Sequence, residues 1–169
     1  LDEALIVVNP YGMSPLSAVA VFSTEKACGG TVTVKGKSAE NDVPGTFEEA
    51  TEHIVPIYGL YNNDTTEVVI TLDDGTSATF EVTTEDIGVD YGTIQTEMKS
   101  EASYDYSNLT FVCSTMGTLY GVDAAGDIRF FTNIGGTLGV HQLENGHLLM
   151  PESYVLKSSY YKEGMIEVD

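Results

Sequence analysis

The chain has 169 residues, 42% of them apolar, and carries 26 acidic against 7 basic side chains for a formal charge of −19. Apolar content of this size is ordinary for a folded domain, and a field this negative repels phosphate backbones and anionic lipid, which disfavours nucleic acid and membrane surfaces as partners. The longest apolar stretches, residues 5–8 and 18–22, fall far short of the roughly 20 residues a membrane helix needs.

Residues 1–97 hold 17 acids and 3 bases and read as short strands separated by Gly, Pro, Asn and Asp, the pattern of an antiparallel β-sandwich. Strands are predicted over residues 4–9, 17–23, 31–37, 49–57, 67–72 and 77–83. In Thr31-Val-Thr-Val-Lys35 and Thr79-Phe-Glu-Val-Thr83 the period of two places Val32, Val34, Phe80 and Val82 on the buried face. Asp73-Asp74-Gly75 joins the last two strands, because Asp-Gly tolerates the positive φ a tight hairpin requires. Gly59-Leu60-Tyr61, followed by polar Asn62-Asn63-Asp64-Thr65, resembles the corner at which fibronectin type III domains turn between sheets, a structural feature that packs a Leu.

Between Ile87 and Tyr106 the signal fades into a connector with Gly88, Gly92, Ser100 and Ser103, which sets the boundary between a first domain (1–97) and a second segment (98–169). Four strands are predicted there, over residues 109–114, 118–123, 127–131 and 147–150, with turns at Asp123-Ala-Ala-Gly126 and Glu144-Asn145-Gly146. The phrase Leu119-Tyr-Gly-Val-Asp123 returns as Met165-Ile-Glu-Val-Asp169 about 46 residues later, the length of one four-stranded propeller blade. The expected architecture is therefore all-β: an Ig/fibronectin III-like sandwich followed by the first blade of a β-propeller and the start of the second. A solenoid and a second sandwich are the alternatives. A single blade cannot close a propeller, so the chain reads as the front, truncated part of a longer protein. With neither an initiator Met nor a basic stretch leading into an apolar run, any signal peptide is removed or absent.

Candidate chemistry is sparse. Two cysteines, Cys28 and Cys113, sit too far apart for a metal-ligand spacing or a disulfide scaffold and read as free thiols. The nitrogen groups are His53, His141, His147, the single Arg129 and six lysines. His141 and His147 lie six apart across a turn with Glu144 between them, a poor zinc spacing; these two read as strand-edge residues and His53 as a strand interior residue. Gly135-Gly136-Thr137-Leu138-Gly139 lacks the Lys and following helix of a phosphate loop. Asn63-Asp-Thr and Asn108-Leu-Thr fit the glycosylation pattern, as many chance tripeptides do. Tyr154, Tyr160 and Tyr161 fall in a long connection and either line a ligand site or pack on the neighbouring blade. No catalytic, cofactor or metal residue is assigned, and no cofactor is expected.

Three phrases carry a family resemblance: Asn9-Pro-Tyr-Gly-Met-Ser-Pro-Leu16 with its continuation to Thr24, the strand Thr31-Val-Thr-Val-Lys-Gly-Lys37, and Ile54-Val-Pro-Ile-Tyr-Gly-Leu-Tyr61. Together they resemble the N-terminal domain of bacterial aryl-sulfate sulfotransferases, and residues 119–129 and 143–150 resemble the opening of that family's propeller. The resemblance implies a sandwich joined to a six-bladed propeller, a homodimer, and a location in the periplasm or outside the cell. It also implies transfer of a sulfuryl group from a phenolic sulfate donor to a phenol acceptor, without the nucleotide donor PAPS, through a sulfo-histidine. The family's H-H-D phrase is absent, and His141 does not align with it when Leu143 and Asn145-Gly146 serve as anchors, so no catalytic residue transfers and residues 1–169 alone are expected to be inactive. The competing readings are a non-catalytic fibronectin-like module of a cell-surface propeller protein and a metal-dependent propeller hydrolase; the latter needs ligand clusters that the sequence does not present.

Overall fold

In the computed structural model, residues 1, 3–90, 94–95, 97, 109–113, 118–132, 139–145, 147–151 and 164–168 are described. Numbered in chain order, the strands among them are β1 (Leu5–Val8), β2 (Ser17–Val34), β3 (Val43–Tyr58), β4 (Thr65–Leu72), β5 (Ser77–Thr83), β6 (Thr110–Cys113), β7 (Leu119–Val122), β8 (Ile128–Thr132), β9 (His141–Gln142), β10 (Leu148–Pro151) and β11 (Met165–Val168). One 3-10 turn at Ala39–Asn41 is the helical element among them.

The two strands expected over 17–23 and 31–37 are one 18-residue strand, β2. Glu25, Lys26, Gly29 and Gly30 read as a break in sequence. In the fold the strand continues through them, with register shifts against β3 between Ser23 and Cys28 and between Cys28 and Gly30, and Gly30 itself pairs with Phe47. Such bulges bend a strand without ending it. Gly30 serves close approach here rather than a turn: a Cβ on it would collide with the Thr71 carbonyl oxygen and lie 2.6 Å from Phe47 Cζ.

β3 likewise begins earlier than expected, at Val43 rather than 49, and contains Pro44 and Pro56. Among the described residues it pairs only with β2, and an edge strand tolerates proline because its outward N–H has no ladder partner to lose. The sheet runs β1-β2-β4-β5 with β3 on β2's opposite edge; β1 pairs with the first part of β2 (Leu5↔Val21) and β4 with the last (Val34↔Val68). The hairpin at Asp73-Asp74-Gly75 forms as expected, with Gly75 at φ 89°.

Alternation sorts the core. Ala18, Ala20, Phe22, Val55 and Ile57 from one end of the β2–β3 hairpin share a single buried cluster with Val32 and Val34 from its other end and Val68, Ile70, Leu72 and Val82 from β4 and β5. The bend thus gathers both inner faces on one core, each fully buried branched side chain contributing roughly 1.5–3 kcal/mol. Val32, Val34 and Val82 are buried as the period of two requires, and Phe80 packs against the cluster half-buried. At the corner, Leu60 is fully buried and its N–H donates to Leu16 O at 3.2 Å.

The phrase Asn9-Pro-Tyr-Gly-Met-Ser-Pro forms the β1–β2 connection. Asn9 takes φ 49° and Gly12 φ 72°, Asn9 Oδ1 accepts from Ser14 N at 3.1 Å, and Asn9 N donates to Ser17 O at 2.8 Å. Asn and Gly are the residues that adopt this left-handed backbone at least cost.

Beyond the connector, β6, β7 and β8 form one antiparallel sheet and β9, β10 and β11 a second. The four strands expected as one blade therefore divide between two sheets: β10 pairs with β9 and β11, and β9 and β11 are additions to the expected set. The turn at Asp123–Gly126 joins β7 to β8 with Gly126 at φ 90°. Val122, Ile128 and Phe131 enter the core of the first domain, while Leu119, Leu148 and Met150 build a smaller cluster with Phe111, Phe130 and Ile166 around it. Asn108, residues 135–138, and Tyr154, Tyr160 and Tyr161 lie outside the described residues, as does most of the expected connector.

Candidate functional site

The densest polar constellation is built around Arg129, on β8, whose side chain is 0% exposed. A buried guanidinium costs several kcal/mol of lost hydration unless its fork of donors is matched by fixed acceptors. Here Nε donates to Gly59 O at 2.6 Å, and Nη1 reaches Asn41 O at 3.0 Å, Tyr61 Oη at 2.9 Å and Asp123 Oδ2 at 3.1 Å. The guanidinium carbon lies 3.9 Å from the centre of the Tyr61 ring, a cation–π contact. Nη2 and Asn41 Oδ1 are buried without a hydrogen-bond partner among the described residues.

Each acceptor is held by its own local chemistry. Asp123 Oδ1 accepts from Ala125 N and Asp127 N, both at 3.0 Å, closing the β7–β8 turn and leaving Oδ2 for the arginine. Tyr61 Oη also accepts from Lys37 N at 2.8 Å, and the Thr84 hydroxyl donates to Tyr61 O. Burial, the largest influence, pushes the Tyr61 phenol up from its ordinary value. Lys37 Nζ donates to Asp127 Oδ1 at 2.8 Å near the surface and lies 4.8 Å from the Tyr61 ring centre; this bond to Asp127 is the main cause of its raised pKa.

The histidines are dispersed. His53 is buried, stacked on Phe22 at 4.6 Å and edge-on to Phe47 at 5.3 Å, with Nε2 3.4 Å from Thr24 Oγ1. His141 is exposed on β9, opposite Leu149. His147 Nδ1 donates to Glu167 Oε1 at 2.8 Å, which together with the Asn145 amide holds the Glu167 carboxyl below its usual range. Among the described residues no group of three or more His, Cys, Asp or Glu is placed to hold a metal, and no helix is long and apolar enough to cross a membrane. Cys28 and Cys113 are free thiols, and burial raises Cys113. Asn63 sits in the corner turn at φ 52°.

A groove of about 510 Å³ lies between the first domain and strands β8 and β11, lined by Tyr11, Met13, Ile54, Tyr58, Phe130 and Val168 among others. Tyr11 is 79% exposed and Ile54 71%. Among the described residues no charged side chain lines it, in a chain of charge −19.

The arginine cluster escapes the sequence because its partners other than Asp123 lie 68 to 88 residues upstream. The signal that could have found it is a lone arginine inside the apolar strand Ile128-Arg129-Phe130-Phe131, where an unpaired charge has no physical excuse.

These features define an all-β protein whose first domain is Ig-like and whose polar interior joins that domain to the strands after it. The family model described as the arylsulfotransferase Ig-like domain matches residues 5–91, just over half of the chain. The chain belongs to the arylsulfotransferase family. A comparison with curated proteins finds no match.

Proposed function

We propose that these residues form the N-terminal part of a PAPS-independent arylsulfotransferase, a protein that moves a sulfuryl group from a phenolic sulfate ester to a phenol. The family match over residues 5–91 carries this reading. In the reaction an imidazole nitrogen attacks sulfur, the S–O ester bond breaks and the phenolate leaves. The acceptor phenol oxygen then attacks the sulfo-histidine, the N–S bond breaks, and the phenolic proton passes to a base. Cationic side chains would hold the sulfuryl oxygens as charge moves to the leaving oxygen.

The residues at hand support a division of labour. His53 is enclosed by two phenyl rings, His147 is tied to Glu167, and exposed His141 has no open arginine to work with because the one arginine is wholly buried, so none offers a nucleophile beside an open guanidinium pocket. The sulfo-histidine and its arginine are assigned to propeller blades outside residues 1–169. The Ig-like domain is assigned a docking or dimerisation role, in a homodimer working in the periplasm or outside the cell.

The test is release of 4-nitrophenol from 4-nitrophenyl sulfate by the uninterrupted gene product, with phenol as acceptor and PAPS omitted, beside residues 1–169. Acceptor-dependent release by the longer chain alone is expected. A folded long chain that releases nothing across several donors and acceptors would overturn the assignment and favour a non-catalytic binding module.

A further inference from the structure

We infer that Arg129 is a buried latch through which the Ig-like domain and the β6–β8 sheet fold and open as one cooperative unit, so that the working N-terminal module extends past residue 91 to include β8. Two modules on a linker normally meet through a modest polar interface and move freely. This junction differs in two respects. Val122, Ile128 and Phe131 belong to the same buried cluster as Val34, Ile57 and Leu60, and are not a separate core lying against it. Two of the guanidinium's four acceptors are also main-chain oxygens of the first domain, Gly59 O and Asn41 O, which cannot swing away to follow it.

Separation would therefore strip a fully desolvated guanidinium of Gly59 O, Asn41 O and Tyr61 Oη, leaving it only Asp123, which lies in the turn of the same β7–β8 hairpin and moves with it. Tyr61 transmits the constraint in both directions. Its ring and hydroxyl face Arg129, while its main chain is fixed by Thr66 Oγ1, which accepts from Tyr61 N at 3.2 Å, and by the Thr84 hydroxyl. Lys37 with Asp127 forms a second, solvent-exposed tie across the same junction. An exposed pair of that kind contributes little by itself and is not the latch.

The experiment is hydrogen exchange of the full chain across a urea series, read in peptides from β2 and from residues 119–132. In the native sequence both regions should lose protection at the same urea concentration, as one cooperative unit does. Arg129→Met should split them, with residues 119–132 exchanging faster by on the order of a hundredfold or more, the factor that follows from orphaning a buried charge partner, while β2 changes less. Tyr61→Phe keeps the ring and removes one acceptor; it should raise exchange at 119–132 by roughly tenfold and serves as the test if Arg129→Met does not fold. Separate transitions in the native sequence would overturn the latch, as would an Arg129→Met or Tyr61→Phe chain in which residues 119–132 exchange as in the native one.

Discussion

Arg129 and Tyr61 touch in two ways at once: the guanidinium carbon stands 3.9 Å from the ring centre, and Nη1 donates to the phenol oxygen at 2.9 Å. Residues 68 positions apart are thereby fixed to each other inside the molecule. Removing the arginine should cost the full chain about 3–5 kcal/mol, because Asp123 is left buried and uncompensated. Arg129→Lys keeps a charge but not the planar fork, so it should recover only part of that loss. Urea unfolding followed by tyrosine fluorescence measures both, and an Arg129→Met chain as stable as the native one would refute the prediction.

Tyr61 should titrate late. Burial raises its folded pKa above the unfolded value of about 10. A group raised in this way contributes stability that is fully present below its unfolded pKa and lost as pH rises through its folded one. The tyrosinate absorbance of the ten tyrosines should therefore include a phenol that ionises above the main group and is lost in Tyr61→Phe. A variant whose curve loses amplitude only near pH 10 contradicts this.

Two glycines separate crowding from backbone strain. Gly30→Ala pushes a Cβ against Thr71 O and Phe47 in the middle of three paired strands and should cost about 3 kcal/mol. Gly75→Ala meets nothing within 4 Å and is strained only by its φ of 89°, which costs roughly 1–2 kcal/mol. Thermal or urea midpoints of the two variants give the order, and a milder Gly30→Ala would refute the close-approach account.

The His147–Glu167 contact makes a pH prediction of opposite sign. The carboxyl is held low first by the bond from His147 and next by Asn145. A depressed carboxylate stabilises the fold above its unfolded pKa, and the contribution fades as pH falls through the folded value. Substituting His147 by Ala should raise the Glu167 midpoint measured by carboxyl carbon NMR. An unmoved midpoint would show that the contact does not persist in solution.

What the sequence conveyed was local, and what it withheld was long-range. Val32, Val34 and Val82 declare their buried face through a period of two, and Asp73-Asp74-Gly75 and Asp123–Gly126 declare their turns through the φ they tolerate. The continuity of β2 was hidden because Gly29 and Gly30 look like a turn until Phe47 and Thr71 are seen pressed against them. The early start of β3 was hidden because Pro44 is harmless only on an edge strand, and edges are a property of the whole sheet. The environment of Arg129 depended on Asn41, Gly59 and Tyr61 from the other domain.

The central functional claim is tested most directly by intact-mass analysis after incubation with 4-nitrophenyl sulfate and no acceptor, followed by peptide mapping. The account predicts one sulfuryl group on a histidine of the uninterrupted gene product, discharged on adding phenol, and none on residues 1–169. A sulfuryl group on His53, His141 or His147, or none on a folded long chain, would contradict it.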